Sequence, residues 1–178
     1  MNIKYYYFID EFNKNEIEKL PVQISLIYRN YNKKNDPQEL KKLVIHCKNN
    51  RRKVYISNSL RNAIKYNFDG LYIPSFCKQI RFQNIIKKNL EIIGSAHNAT
   101  ELKIKEKQGC SIIFLSPVFK NNKNKKFLDV IKTNLLKKLT KNQIVLLGGI
   151  NQKTIKRSKL CAPSGLAAIS WIKKTAQV

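Results

Sequence analysis

Short apolar runs alternate with amphipathic stretches from one end of this chain to the other, and that rhythm restricts the fold more than any other feature. Apolar runs of about four to eight residues bounded by turn signals read as strands, and recurrence at three- and four-residue spacing reads as helix. The strand candidates are Lys4 to Ile9, Val22 to Tyr28, Lys53 to Ser57, Gly70 to Ile73, Glu91 to Gly94, Ser111 to Leu115, Gln143 to Leu147 and Gly165 to Ile169. Helices are expected between and after them at Glu16 to Leu20, Pro37 to Lys48, Leu60 to Tyr66, Lys78 to Lys88, Ala99 to Lys107, Phe127 to Leu139, Gln152 to Lys159 and Ser170 to Ala176. The clearest has Asp36 as N-cap, Pro37 in its first turn, and Leu40, Leu43, Val44 and Cys47 on one face. Strands joined by crossover helices run parallel, and eight such units close a ring. The predicted fold class is α/β, a single minimal (β/α)8 TIM barrel with short helices. An open doubly wound sheet has the same rhythm, but it wants a glycine fingerprint after its first strand, and Phe8-Ile9-Asp10-Glu11-Phe12 has none.

With 178 residues and 43% hydrophobic content, the chain supports one well-cored domain over residues 1–178 and not two. Its longest apolar stretches, Ile144 to Ile150 and Leu166 to Ile172, fall short of the roughly 20 residues that span a bilayer, and Met1 to Phe8 lacks a signal-peptide pattern. A cytoplasmic protein with no membrane association is expected. Cys47, Cys77, Cys110 and Cys161 are scattered, and His46 beside Cys47 does not make spaced zinc-ligand pairs, so reduced, mostly buried thiols are expected. The formal charge of +24 suggests anionic partners. The excess is spread over nearly every predicted helix and accompanies abundant Asn and Ile, the mix that AT-rich coding produces. No strand interleaves aromatics as an RNA-binding sheet does, and no helix-turn-helix pattern stands out. The predicted partners are small phosphate esters and no specific nucleic acid; subunit association is not legible.

The glycines gather late, where barrels commonly place phosphate sites. The seventh strand ends Leu147-Gly148-Gly149-Ile150 and the eighth unit reads Ser164-Gly165-Leu166-Ala167-Ala168-Ile169-Ser170. Glycines let backbone N–H groups approach an anion, and a helix opening at Ser170 adds free amide donors. A tight turn at Gly149 and a helix cap at Ser170 are the alternative readings. The fifth strand runs into Ile92-Ile93-Gly94-Ser95-Ala96-His97, and the sixth into Ser116-Pro117-Val118-Phe119 before a basic loop. Ser95 is a candidate anion donor, His97 a candidate proton carrier or a simple loop histidine, and Lys120, Lys123 and Lys125 are candidate phosphate contacts.

In this order, Ile92 to His97, Gly109 through Ser116 to Phe119, Leu147 to Ile150 and Gly165 to Ser170 resemble the thiamine phosphate synthase and TenI family. Weaker echoes are Ile27-Tyr28-Arg29, where the family has Gln-Leu-Arg, and Asp69 to Tyr72, where it has Asp-Gly-Val-His. The resemblance covers nearly the whole chain. It implies a barrel that joins hydroxymethylpyrimidine diphosphate to a thiazole phosphate, releasing pyrophosphate with magnesium assistance. By motif position, Arg29 and Ser95 would meet the diphosphate, and Gly148, Gly149, Ile169 and Ser170 would hold the thiazole phosphate.

Departures from the pattern concentrate on the diphosphate side. Ser57-Asn58 stands where the synthase has Asn-Asp, and Cys77 where its second magnesium carboxylate belongs. Asn58 still offers a neutral oxygen, but magnesium leans on carboxylates, so weakened magnesium binding is expected. Tyr31 replaces a Lys, Tyr72 a His, Pro74-Ser75 a Gly-Gln, and Lys125 falls one place after the lysine of the sixth loop. Three functions remain open: a divergent thiamine phosphate synthase with an eroded metal site, a TenI-like thiazole tautomerase using His97, and a non-catalytic thiazole or thiamine phosphate-binding barrel.

Overall fold

The computed structural model describes residues 3–31, 36–80, 90–121 and 126–167. Eight parallel strands pair in chain order and close into a barrel. They are β1 Lys4–Ile9, β2 Ile24–Tyr28, β3 Val54–Ser57, β4 Gly70–Ile73, β5 Glu91–Ala96, β6 Ile112–Leu115, β7 Gln143–Leu147 and β8 Gly165–Ala167. Closure is made by β1 and β8, in the register Lys4 to Gly165, Tyr5 to Leu166 and Tyr6 to Ala167. The described helices are α1 Lys14–Glu18, α2 Pro37–Asn49, α3 Leu60–Lys65, α4 Ala99–Lys107, α5 Asp129–Lys138 and α6 Ile155–Ser158. The predicted helix at Ser170 to Ala176, and most of that at Lys78 to Lys88, lie outside the described residues.

Alternation along each strand sorts the side chains into two cores. Tyr6, Phe8, Ile27, Tyr55, Tyr72, Ile93, Phe114 and Val145 fill the barrel interior. Its aromatic rings meet edge to face, Tyr6 with Phe114 at 4.9 Å, Phe8 with Tyr72 at 5.4 Å and Tyr72 with Phe114 at 5.7 Å between centroids. The opposite faces pack on the helices, where Leu40, Leu43, Val44 and Cys47 of α2 are buried. Each such aliphatic side chain contributes about 1.5–3 kcal/mol through burial. Asp36 caps α2 as the sequence predicts, its carboxylate accepting the Gln38 N–H at 3.0 Å.

Two helices begin later than their periodicity suggests, for a backbone reason. Leu128 and Asp129 donate their N–H groups back to Pro117 and Val118 at 3.0 and 2.8 Å, so α5 starts at Asp129 and not at Phe127. Asn151 and Thr154 are similarly engaged in the turn after β7, leaving α6 a single turn before a short 3-10 segment at Lys159–Cys161. All four cysteines are free; Cys47, Cys110 and Cys161 are buried and Cys77 is partly so.

Candidate functional site

Parallel closure points every strand C-terminus into one mouth, and residues an even number apart share a face. On β4, Tyr72 stands inside the barrel, 2% exposed. Burial pushes its hydroxyl up to about 12, against hydrogen bonding from Ser95 and Arg29, which pulls the other way. Ser95 of β5 and Arg29, just after β2, therefore converge on one phenol. The Arg29 guanidinium lies 4.4 Å over the Phe8 ring and 6.0 Å from that of Tyr31. It enters none of the ion pairs among the described residues. A guanidinium placed against rings, with no acidic partner among the described residues, has the chemistry to receive an anion.

Beyond β3, the Ser57 and Tyr31 hydroxyls are 3.1 Å apart, and the Tyr31 ring meets Phe76 at 5.6 Å and 71°. Asn58 follows in the left-handed region at φ +53°, where asparagine is tolerated, and donates its N–H to the Tyr72 carbonyl at 2.9 Å. Beside these residues opens a groove of 670 Å3 lined by Asn58, Phe76, Cys77, Lys78 and Gln79.

The loop carrying Phe76 and Cys77 is stapled from behind. Lys105 of α4 is fully buried and donates to the carbonyls of Pro74 and Cys77 at 2.8 and 2.9 Å and to Gln108 Oε1 at 2.8 Å. Gln108 in turn donates to the Cys77 and Gln79 carbonyls at 2.9 and 2.8 Å. Burial lowers the Lys105 pKa. The lysine stem crosses behind β5 at Gly94, where an added Cβ would sit 2.9 Å from Lys105 Cδ and from Cys110 Sγ. Gly94 thus serves the staple, and Ser95 faces the mouth. Sequence reasoning reads a helical lysine as solvated and misses this one; its place three residues after the buried Leu102 was the available signal.

His97 lies at the rim. Its Nδ1 is 2.8 Å from Glu101 Oε2, and its backbone N–H donates to the same oxygen at 2.8 Å. An ionised carboxylate only accepts, so Nδ1 carries a proton in this contact and Nε2 is the ring nitrogen left to exchange one.

On the far wall, Gly148 and Gly149 have φ of +88° and +74°. The Phe119 N–H donates to the Gly148 carbonyl at 3.1 Å, and a Cβ on Gly149 would run into the Phe119 carbonyl. The double glycine therefore has a steric role against the β6 loop, whatever it binds. Arg157 buttresses this wall, holding both Asp129 carboxylate oxygens at 2.8 and 3.0 Å, with its guanidinium 5.6 Å from the Phe119 ring. Of the predicted site residues, Arg29 and Ser95 come together, Asn58 and Cys77 line the groove beside Phe76, and His97 and the glycines occupy other parts of the rim. Lys123, Lys125, Ile169 and Ser170 lie outside the described residues.

A family profile described as thiamine monophosphate synthase matches residues 21–172. The chain belongs to the thiamine monophosphate synthase family. Among its relatives, the thiamine-phosphate synthase of Methanococcus maripaludis strain S2 is 28% identical over 120 residues, 66% of this chain and 58% of that protein. The thiamine-phosphate synthase of Prochlorococcus marinus subsp. pastoris is 29% identical over 155 residues, 84% of this chain and 44% of that protein. The chain thus spans about half the length of these relatives. Thiamine phosphate pyrophosphorylase from Pyrococcus furiosus superposes with a TM-score of 0.75 at 18% identity, covering 98% of this chain and 92% of that one, which is a likeness of fold.

Magnesium, typical of this family, does not fit the residues at the ends of β3 and β4. Asn58 and Cys77 offer a neutral amide and a thiol, where a hard cation wants carboxylates. All 11 acidic residues of the chain fall among the described residues, and none belongs to the segments 57–58 or 74–79. No cluster of three His, Cys, Asp or Glu side chains suited to a metal occurs among the described residues.

Proposed function

We propose that this chain is a divergent thiamine phosphate synthase-like transferase, one barrel domain over residues 1–178, that joins hydroxymethylpyrimidine diphosphate to thiazole phosphate in the cytoplasm. The observation that carries the reading is the convergence of Arg29 and Ser95 on Tyr72, inside a mouth whose opposite wall is the Gly148-Gly149 turn. Two anionic groups seated on opposite walls leave their rings facing one another across the mouth. In the reaction, the bond from the pyrimidine methylene to the diphosphate oxygen breaks and its electron pair leaves with pyrophosphate. The thiazole nitrogen then supplies the pair that forms the new C–N bond.

Arg29 is suited to the charge that grows on the departing oxygen, since no carboxylate competes for it. Ser95, 5% exposed and held beside Tyr72, orients a phosphoryl oxygen with little loss of side-chain freedom on binding. Gly148, Gly149, Ile169 and Ser170 would seat the thiazole phosphate through backbone amides and the Ser170 hydroxyl, and Lys125 would add charge from the sixth loop. Tight contact between the β6 loop and the double glycine keeps that wall shaped.

Purified protein given both phosphorylated precursors should form thiamine phosphate, and Arg29→Gln should slow formation by about a hundredfold, as loss of a charge-stabilising donor does. Failure to form any product while the protein remains folded would refute the transferase reading. The His97–Glu101 pair favours a second activity at the rim, thiazole tautomerisation, because the carboxylate leaves His97 Nε2 able to take a proton. That reading predicts isomerisation of the thiazole carboxylate phosphate without any diphosphate, abolished in His97→Ala.

A further inference from the structure

We infer that the β2–β4 side of the mouth is an aromatic seat that binds a flat phosphorylated heteroaromatic ring without a divalent cation, with Tyr31 and Phe76 against the ring and Arg29 on its anionic group. The inference rests on the proposed reading that the mouth takes phosphorylated rings, and it changes how one of them is held.

The acidic residues are engaged elsewhere. Asp69 accepts the Val54 N–H at 2.8 Å and Glu91 the Tyr55 hydroxyl at 2.7 Å, both at the N-terminal end of the barrel. Glu39 is taken by the Phe12 N–H at 2.6 Å and the Tyr28 hydroxyl at 3.1 Å, and Glu101 by His97. Asp10 and Glu11 follow β1, separated from the β3 and β4 ends by β2. The charges near the groove are those of Arg29 and Lys78, which repel a divalent cation and attract an anion directly.

Aromatic surface stands in the place of the metal. Tyr31 and Phe76 are 51% and 62% exposed, yet neither is loose: their rings meet edge to face, Tyr31 is tied to the buried Ser57, and the Phe76 loop is stapled by Lys105 and Gln108. Two preset rings at the rim of a 670 Å3 groove, next to a guanidinium without a carboxylate, match a ligand that is flat at one end and anionic at the other. Stacking supplies affinity that a metal-bridged diphosphate would otherwise supply.

Calorimetry on the full chain tests this with three probes, hydroxymethylpyrimidine diphosphate, thiazole phosphate and inorganic pyrophosphate, each in magnesium and in EDTA. The expected result is a pyrimidine diphosphate affinity that changes less than twofold between the two buffers. Tyr31→Ala and Phe76→Ala should each weaken it about tenfold, the scale of one lost ring contact, and leave pyrophosphate affinity unchanged. The double variant Asn58→Asp, Cys77→Asp should make binding magnesium-dependent. Binding by the unchanged chain that needs magnesium, or that is no tighter for the ring-bearing ligand than for pyrophosphate, overturns the inference and leaves the transferase reading standing. Failure of both phosphorylated rings to bind a folded protein in either buffer overturns the two together.

Discussion

The β2–β4 wall of the mouth is made of side chains, and the β6–β7 wall is made of backbone. On the first, Arg29, Tyr31, Ser57, Tyr72 and Phe76 define the surface, held by hydroxyl and ring contacts. On the second, the carbonyls of Leu147 and Gly148 accept the N–H groups of Val118 and Phe119 at 3.0 and 3.1 Å, and two positive φ values close the turn. A side-chain wall changes its chemistry one substitution at a time while the strands beneath stay where they are. A backbone wall keeps its shape for as long as its glycines remain. The departures that the family resemblance implies fall mostly on the first wall, at Asn58, Tyr72 and Cys77, with the displaced lysine of the sixth loop as the exception, while Gly148-Gly149 and Ser116-Pro117 keep the resemblance on the second.

The contrast breaks most severely if the first wall loses its hidden support. Lys105→Met removes the donor to two loop carbonyls and to Gln108 in a dry site, and should cost about 3 kcal/mol of stability in urea titrations. Its ligand affinity should fall with it, because the Phe76 loop is no longer fixed. Gly149→Ala attacks the second wall; with φ at +74° and the Phe119 carbonyl in the way, it should cost about 2 kcal/mol. Thiazole phosphate binding should weaken more than pyrimidine diphosphate binding, and the reverse order would erase the distinction between the walls.

The barrel floor supplies the smallest effect and a control. Burial pushes the Glu91 carboxyl up, but hydrogen bonds from Tyr55 and Lys53 and the charges of Lys53 and Lys4 outweigh it and hold it below its ordinary 4.5. A depressed folded-state pKa stabilises the protein above that ordinary value, and the contribution is lost as pH falls through the folded-state pKa. Thermal melts should therefore lose stability below pH 4.5, and less so in Tyr55→Phe, whose acid sensitivity is reduced. Variants of either wall should show the same acid slope as the unchanged protein.

Much of the barrel was legible because its signals are local. Asp36 and Pro37 announce a helix start, and apolar strand runs such as Gly70–Ile73 and Gln143–Leu147 have the bounds their sequence suggests. Features set by distant backbone were not legible. The start of α5 depends on carbonyls of the β6 loop, and that of α6 on the Asn151 and Thr154 turn. In the site, Arg29, Ser95 and the double glycine were readable as motif positions. The Lys105 staple and the Tyr31–Phe76 contact were not, because they join residues 28 to 45 positions apart whose types alone suggest exposed surface. Arg52 is a parallel case, buried with its guanidinium on the carbonyls of Ile17, Leu20, Pro21 and Ile24.

The buried staple also makes the protein its own reporter. Among the described residues Lys105 is the one lysine wholly shielded from solvent, with its three N–H donors taken up by Pro74, Cys77 and Gln108. An acylating reagent added at neutral pH will modify the surface lysines at once and reach Lys105 only when the loop lifts away from α4. The rate at which that single amine is labelled is therefore a clock for opening of the Phe76 loop, readable by peptide mass with no dye or mutation introduced.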